Sequence, residues 1–162
     1  MAASSTPKVP RDGSLTLAGG TLAAFTVPYE QGDVSISEVG TEERIVIYQR
    51  DVVVAVRKGK QSIPTITLTV AAAAFTDASS GEIWDVLKFT GSRSTDTSTA
   101  TIKGDFPMLT ATFTKAAVGA DTAAHTVTAT GCIGTLGYAE GRPDMYSITL
   151  EVYGAITRTG QA

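Results

Sequence analysis

Thr65-Ile66-Thr67-Leu68-Thr69-Val70 sets three hydroxyls against three hydrocarbons in strict alternation. Successive side chains of a strand point to opposite faces, so this hexapeptide reads as a strand with one dry face and one hydroxyl face. The same pattern recurs along the chain. Thr110, Thr112 and Thr114 alternate with Ala111 and Phe113, and Thr126, Thr128 and Thr130 surround Val127 and Ala129. Ser147-Ile148-Thr149-Leu150-Glu151-Val152-Tyr153 keeps the alternation and places a carboxylate on the polar side. Nearer the start, Leu15 and Leu17 flank Thr16, and Val34 and Ile36 alternate with Ser35 and Ser37. Each is a strand with one apolar face.

Immediately upstream of the hexapeptide lies Arg44 to Lys60, β-branched for most of its length and interrupted by Gln49-Arg50-Asp51. It reads as two strand segments joined or bent at that tripeptide, with Arg57-Lys58-Gly59-Lys60 turning the chain toward Ile63. Downstream, one helix is signalled over about Ser80 to Thr90. Ser79 and Glu82 have capping-box spacing, Ile83, Val86 and Leu87 share a face, and Gly91 stands where a C′ glycine belongs. Trp84 and Phe89 flank that stripe and read as packing groups. Ala71 to Ala74 reads equally as a strand end or a helix start. Gly91 to Asp105, GSRSTDTSTATIKGD, is a long polar loop whose length makes it a contact element, with Arg93, Asp96 and Lys103 among its charged members. A turn at Glu140 to Asp144 precedes the last strand, after which the chain ends in a short polar tail.

Composition agrees with a β-rich domain. The 162 residues are 43% hydrophobic, and they include 25 Thr and 12 Ser but no Asn, so no N-glycosylation acceptor exists. Residues 1–13 hold Pro7, Pro10 and Arg11 without periodicity and read as an extended N-terminal arm able to span about 40 Å. The remainder, 14–162, reads as a single domain. The fold expected is mainly β, a β-sandwich or half-open barrel with one short α-helix closing one side and several strand edges to be hidden or used in assembly.

The chemistry of catalysis is sparse. Thirteen basic and sixteen acidic residues leave a net charge of −3, which argues against a general polyanion-binding surface. One cysteine, Cys132, and one histidine, His125, make neither an internal disulfide nor a His/Cys metal site, and no Gly-x-Ser-x-Gly elbow accompanies the histidine. Cys132 reads as a small buried hydrophobe. Gly131, Gly134 and Gly137 are spaced GxxGxxG but lie between strands, so they lack the helix N-terminus that a phosphate cradle uses. Glu42-Glu43 and Glu140/Asp144 read as solvated loop carboxylates. No catalytic residue, cofactor site or metal site is expected, nor a signal-peptide core or a membrane-spanning segment.

The order of elements, from the arm through TITLTV, SGEIWDVLKFTG, a polar loop, Thr-rich strands and ITLEVYGAI, together with phrases such as GDVSISEV and SITLEVYG, resembles the major tail tube protein of long, non-contractile-tailed bacteriophages. The resemblance spans nearly the whole chain. It implies a structural virion protein whose hexameric rings stack into a tube, assembled in the host cytoplasm. The implied partners are further copies of itself, a tape measure protein, and tail terminator and tip proteins, with DNA passing through unbound and no membrane involved. For the lumen face the sequence offers Thr65, Thr67 and Thr69 or Thr110, Thr112 and Thr114; each set equally suits a solvated outer face. For contacts between subunits it offers Pro7, Pro10, Arg11, Arg93, Asp96 and Lys103. The reading from another class is a β-sandwich binding module such as a capsid decoration or surface adhesion domain.

Overall fold

The computed structural model describes residues 13–27, 33–37, 44–60, 62–71, 83–98, 106–116, 124–141 and 144–160. Ten strands and one helix follow in the order β1 (Gly13–Gly19), β2 (Leu22–Val27), β3 (Val34–Ser37), β4 (Arg44–Gln49), β5 (Val52–Lys58), β6 (Thr65–Ala71), α1 (Ile83–Lys88), β7 (Leu109–Lys115), β8 (His125–Ala139), β9 (Met145–Val152) and β10 (Ile156–Thr159). Eight strands make one antiparallel sheet in the order β2-β1-β7-β8-β9-β6-β3, with β10 also on β8, while β4 and β5 pair only with each other. This is the mainly β architecture expected, a sandwich or half-open barrel with a single short helix.

The hub is β8, fifteen residues long. Its first half lies between β7 and β10, and its second half pairs with β9, so two lobes of sheet share one strand. The register against β7 slips between Leu109 and Ala111, opposite Gly131, whose φ of 63° only glycine adopts freely. That bulge keeps Ala129 and Cys132 on the same side although they stand three positions apart, and both are fully buried. Gly131 and Gly134 thus bend and thin a continuous strand instead of separating two.

Apolar alternation on both lobes points into one core. Leu15 and Leu17 of β1, Ile66, Leu68 and Val70 of β6, and Ile148, Leu150 and Val152 of β9 meet Ile83, Val86 and Leu87 of α1 there. Each such side chain stabilises the fold by about 1.5–3 kcal/mol relative to exposure. Helix α1 approaches β8 at Gly134, where a Cβ would stand 2.5 Å from Leu87 Cδ2, and Lys88 Nζ donates to the Gly134 carbonyl oxygen at 2.9 Å.

Three details differ from the expectations. The helix is described over Ile83–Lys88, and residues 79–82, with the expected capping box, lie outside the described residues. It ends in the left-handed conformation at Phe89 (φ 51°), not first at Gly91, and Thr90 N–H donates to Asp85 C=O at 3.3 Å in the pattern that closes a helix end. Phe89 holds that conformation because its ring packs against the core. Residues 156–159, expected in a polar tail, instead form β10 on β8: Thr130 N–H donates to Ala155 C=O at 3.0 Å, and Thr130 Oγ1 accepts from Ala155 N–H at 3.0 Å.

Candidate assembly surfaces

Because opposite residues in an antiparallel pair share a face, the register fixes what lies behind the core. Across the first lobe runs the row Thr26–Thr16–Thr112–Thr128–Thr157, and beside it Ser14–Thr114–Thr126–Thr159. On the second lobe lies Ser35–Thr67–Thr149–Thr135. Thr65 pairs with Glu151, Thr69 with Ser147, and Thr110 precedes buried Ala111 on the same reverse side. All six threonines offered for a lumen therefore belong to one face of one sheet. Thr67 and Thr69 are exposed, and Thr65, Thr110, Thr112 and Thr114 are half-buried.

Glu151 is the one charged side chain among the described strand positions of this face. Lys115 and Arg158 stand opposite His125 and Val127, in line with the core-side positions. Tyr153 Oη donates to Glu151 Oε2 at 2.7 Å, a bond that pushes the phenol up. Asp33, Ser35, Thr67, Thr69, Ser147 and Thr149 line an open groove of about 390 Å³ on the same face. Leu68 and Ile148 complete its lining, which includes no cation.

The second surface is the β4–β5 hairpin, in which every residue but Ala55 is exposed. Ile45, Ile47, Tyr48, Val52, Val54 and Val56 are among the large apolar side chains left uncovered, Tyr48 at 65%. Arg50 and Asp51 form its tip with φ of 49° and 62°, the two-residue turn whose twist matches the strands. Asn-Gly normally fills such a turn; this chain has no Asn and carries the left-handed cost, of order 1–2 kcal/mol per residue, on two ordinary side chains. Sequence periodicity located these strands but could not say that they stand exposed, outside the core of the described residues.

The polar loop after α1 is anchored in its described part. A 3-10 turn, Gly91–Arg93, leads to an Arg93 Nη1–Asp96 Oδ2 ion pair at 3.8 Å. Thr21 N–H donates to Thr97 C=O at 3.2 Å, and Thr97 N–H donates to Thr21 Oγ1 at 2.8 Å, which ties residues 96–98 to the β1–β2 turn. Arg93 and Asp96 thus come together with each other. Pro7, Pro10, Arg11 and Lys103 lie outside the described residues, as does the arm up to residue 12.

The residues weighed for chemistry are dispersed. His125 opens β8 opposite Lys115. Cys132 is fully buried, its Sγ 3.4 Å from the Ala129 carbonyl oxygen, and burial pushes the thiol up to about 11. Asp144 accepts from Gly141 N–H at 2.7 Å and from Tyr138 Oη at 2.8 Å. Those bonds, the Gly141 bond first, hold its carboxyl below the usual range and make it the clamp of the β8–β9 turn. Among the described residues no three His, Cys, Asp or Glu side chains gather in a metal-binding group, and no helix is long and apolar enough to cross a membrane.

No protein-family model matches the chain, and no curated protein matches it. Solved structures do. The sheath/tube terminator of the extracellular contractile injection system PVC, in its extended state, aligns over 97% of this chain and 99% of its own, with a TM-score of 0.61 and 13% identity. A chain of the PVC sheath-tube complex aligns over 96% and 93% with a TM-score of 0.58 and 13% identity. The tube-terminating cap of the anti-feeding prophage aligns over 98% and 95% with a TM-score of 0.54 and 14% identity. At such identity the likeness is one of fold. It is a fold that tube, terminator and cap components of contractile injection systems share, whereas the sequence resemblance pointed to non-contractile tails. Over nearly its whole length the chain accordingly shares the fold of these terminator, sheath-tube and cap chains.

Proposed function

We propose that this chain is a structural, non-enzymatic tail protein that self-assembles into hexameric rings stacked as a tube, with the hydroxyl face of the eight-stranded sheet turned to the lumen. The observation that carries this reading is the pavement itself: aligned Thr and Ser rows across both lobes, with Glu151 as the only charge among the described strand positions there. Phosphate binding gains its free energy from cations that displace counterions, so a face without Lys or Arg gives a passing duplex nothing to hold. The hydroxyls keep such a lumen wet, and the carboxylates of Glu151 and Asp33 repel. Likeness to tube, terminator and cap subunits supports the reading. In it the open edges of β2 and β3 pair with neighbouring copies, and the arm and the segment beyond residue 98 tie rings together. A tape measure protein occupies the growing lumen, terminator and tip proteins close the ends, and DNA leaves through the tube of the virion.

The test is negative-stain electron microscopy with light scattering at rising protein concentration. Rings or hollow tubes of uniform diameter are expected; a compact monomer throughout would refute the assembly. The lumen assignment has its own test in tubes of Thr67→Lys/Thr135→Lys. Where wild-type tubes leave a short duplex unbound, these should retain it, with affinity falling about threefold per phosphate contact between 50 and 200 mM salt. Equal DNA behaviour in both tubes would remove these residues from the lumen.

A further inference from the structure

Among the described residues the β4–β5 hairpin pairs only with itself, and none of its residues joins the core. Register sorts its side chains. One face sets Val46 against Val56 and Tyr48 against Val53, and the other sets Ile47 against Ala55 and Val52 against Gln49. A hairpin lying on one surface alternates apolar inside with polar outside. This one is apolar on both sides, so one covering surface leaves the other face in water.

Its charge is equally one-sided. Residues 44–58 contain Arg44, Arg50, Arg57 and Lys58 against Asp51, a net +3, while the whole chain carries −3; the other residues therefore carry −6. The complement of this hairpin in charge is the body of its own kind. We infer that the hairpin is clamped between two other copies of this chain, each covering one apolar face, with its positive charge set against their acidic bodies. The inference rests on the tube reading and adds how many neighbours each hairpin must join. Two alternatives fit less well. Strands of six and seven residues fall short of the 9–11 that a membrane-spanning strand needs, and the polar side chains with which a β-ribbon reads DNA are confined here to the two ends of the hairpin, Arg44, Arg57 and Lys58 at one and Gln49 and Arg50 at the other.

The experiment compares wild type, Val46→Thr/Val56→Thr and Ile45→Thr/Ile47→Thr by sedimentation velocity and electron microscopy, with circular dichroism to check folding. Both variants should keep the wild-type fold, because these side chains touch no core. Each should raise the critical concentration for assembly about tenfold or more. If one variant assembles like wild type, the hairpin is covered on one side only; if both do, it is not the docking element. Either result overturns the clamp and leaves wild-type tubes, and the tube reading, standing, whereas wild type that never associates overturns both. A chain with 45–57 replaced by two glycines keeps the receiving surfaces and should shorten wild-type tubes at substoichiometric ratios, and unchanged tube lengths would count against the clamp. Wild-type monomer is also offered a 20-base-pair duplex and vesicles of anionic phospholipid. Binding to either that the hairpin variants lose would transfer the hairpin to that partner and overturn the clamp.

Discussion

Gly134→Ala and Leu87→Ala should each destabilise the protein, and the pair should cost far less than the two together. A Cβ on Gly134 would meet Leu87 Cδ2 at 2.5 Å, Leu87 Cγ at 3.3 Å and Leu150 Cδ2 at 3.2 Å. Leu87 and Leu150 are fully buried, so neither can swing into solvent. Overpacking of this kind costs about 1–3 kcal/mol, offset by the roughly 0.5–1 kcal/mol that alanine gains over glycine in a strand. Leu87→Ala alone removes a core leucine at about 2–5 kcal/mol, including the cavity it leaves. In that background the two Leu87 contacts are gone, and the new methyl enters vacated space with only Leu150 to adjust. The second substitution then becomes neutral or stabilising, and the cycle should show about 1–3 kcal/mol of favourable coupling. Urea unfolding of unassembled protein reads it, with Trp84, the only tryptophan and a residue of α1, as the fluorophore. Midpoints that add within about 0.5 kcal/mol would refute the claim that the missing Cβ is what seats α1 on β8.

Cys132, buried and with its thiol near 11, should ignore a water-soluble disulfide reagent at pH 8 and titrate as one thiol in denaturant; rapid native labelling would mean that the β7–β8 core opens. Thr130→Val removes both hydroxyl bonds to Ala155 and should cost about 1–2 kcal/mol, with faster hydrogen exchange at Ala155 and in β10 while β9 stays protected. Asp144, whose carboxyl is depressed in the fold, stabilises the β8–β9 turn above its unfolded pKa and loses that contribution as pH falls through the folded value. Asp144→Asn should flatten that acid-side change in the Tyr138 signal, and an unchanged pH profile would refute the clamp.

Three local patterns read as the structure has them. Thr65 to Val70 needs only the two-residue period of a strand, the stripe Ile83/Val86/Leu87 only the period of a helix, and the Arg50-Asp51 tip only a break in a β-branched run. The Thr strands were legible one at a time. That Thr16, Thr112, Thr128 and Thr157 form a row was not, because register depends on partners nearly a hundred residues apart and on a bulge at Gly131. The Thr21 anchor of residues 96–98 was hidden for the same reason: no period links a β1–β2 turn to a loop seventy-five positions later. Phe89 took the left-handed position ahead of Gly91 because core packing outweighs the glycine preference there.

By itself the sequence determined the strand-rich class, the single helix, the alternation of hydroxyl and hydrocarbon, and the poverty of catalytic groups, since these follow from composition and short-range period. Only the tertiary structure decided that both Thr sets share one nearly uncharged face, that residues 156–159 join the sheet, and that residues 44–58 stand outside the core. An apolar strand looks the same in sequence whether its own chain or another molecule covers it; the difference lies in where the rest of the fold closes.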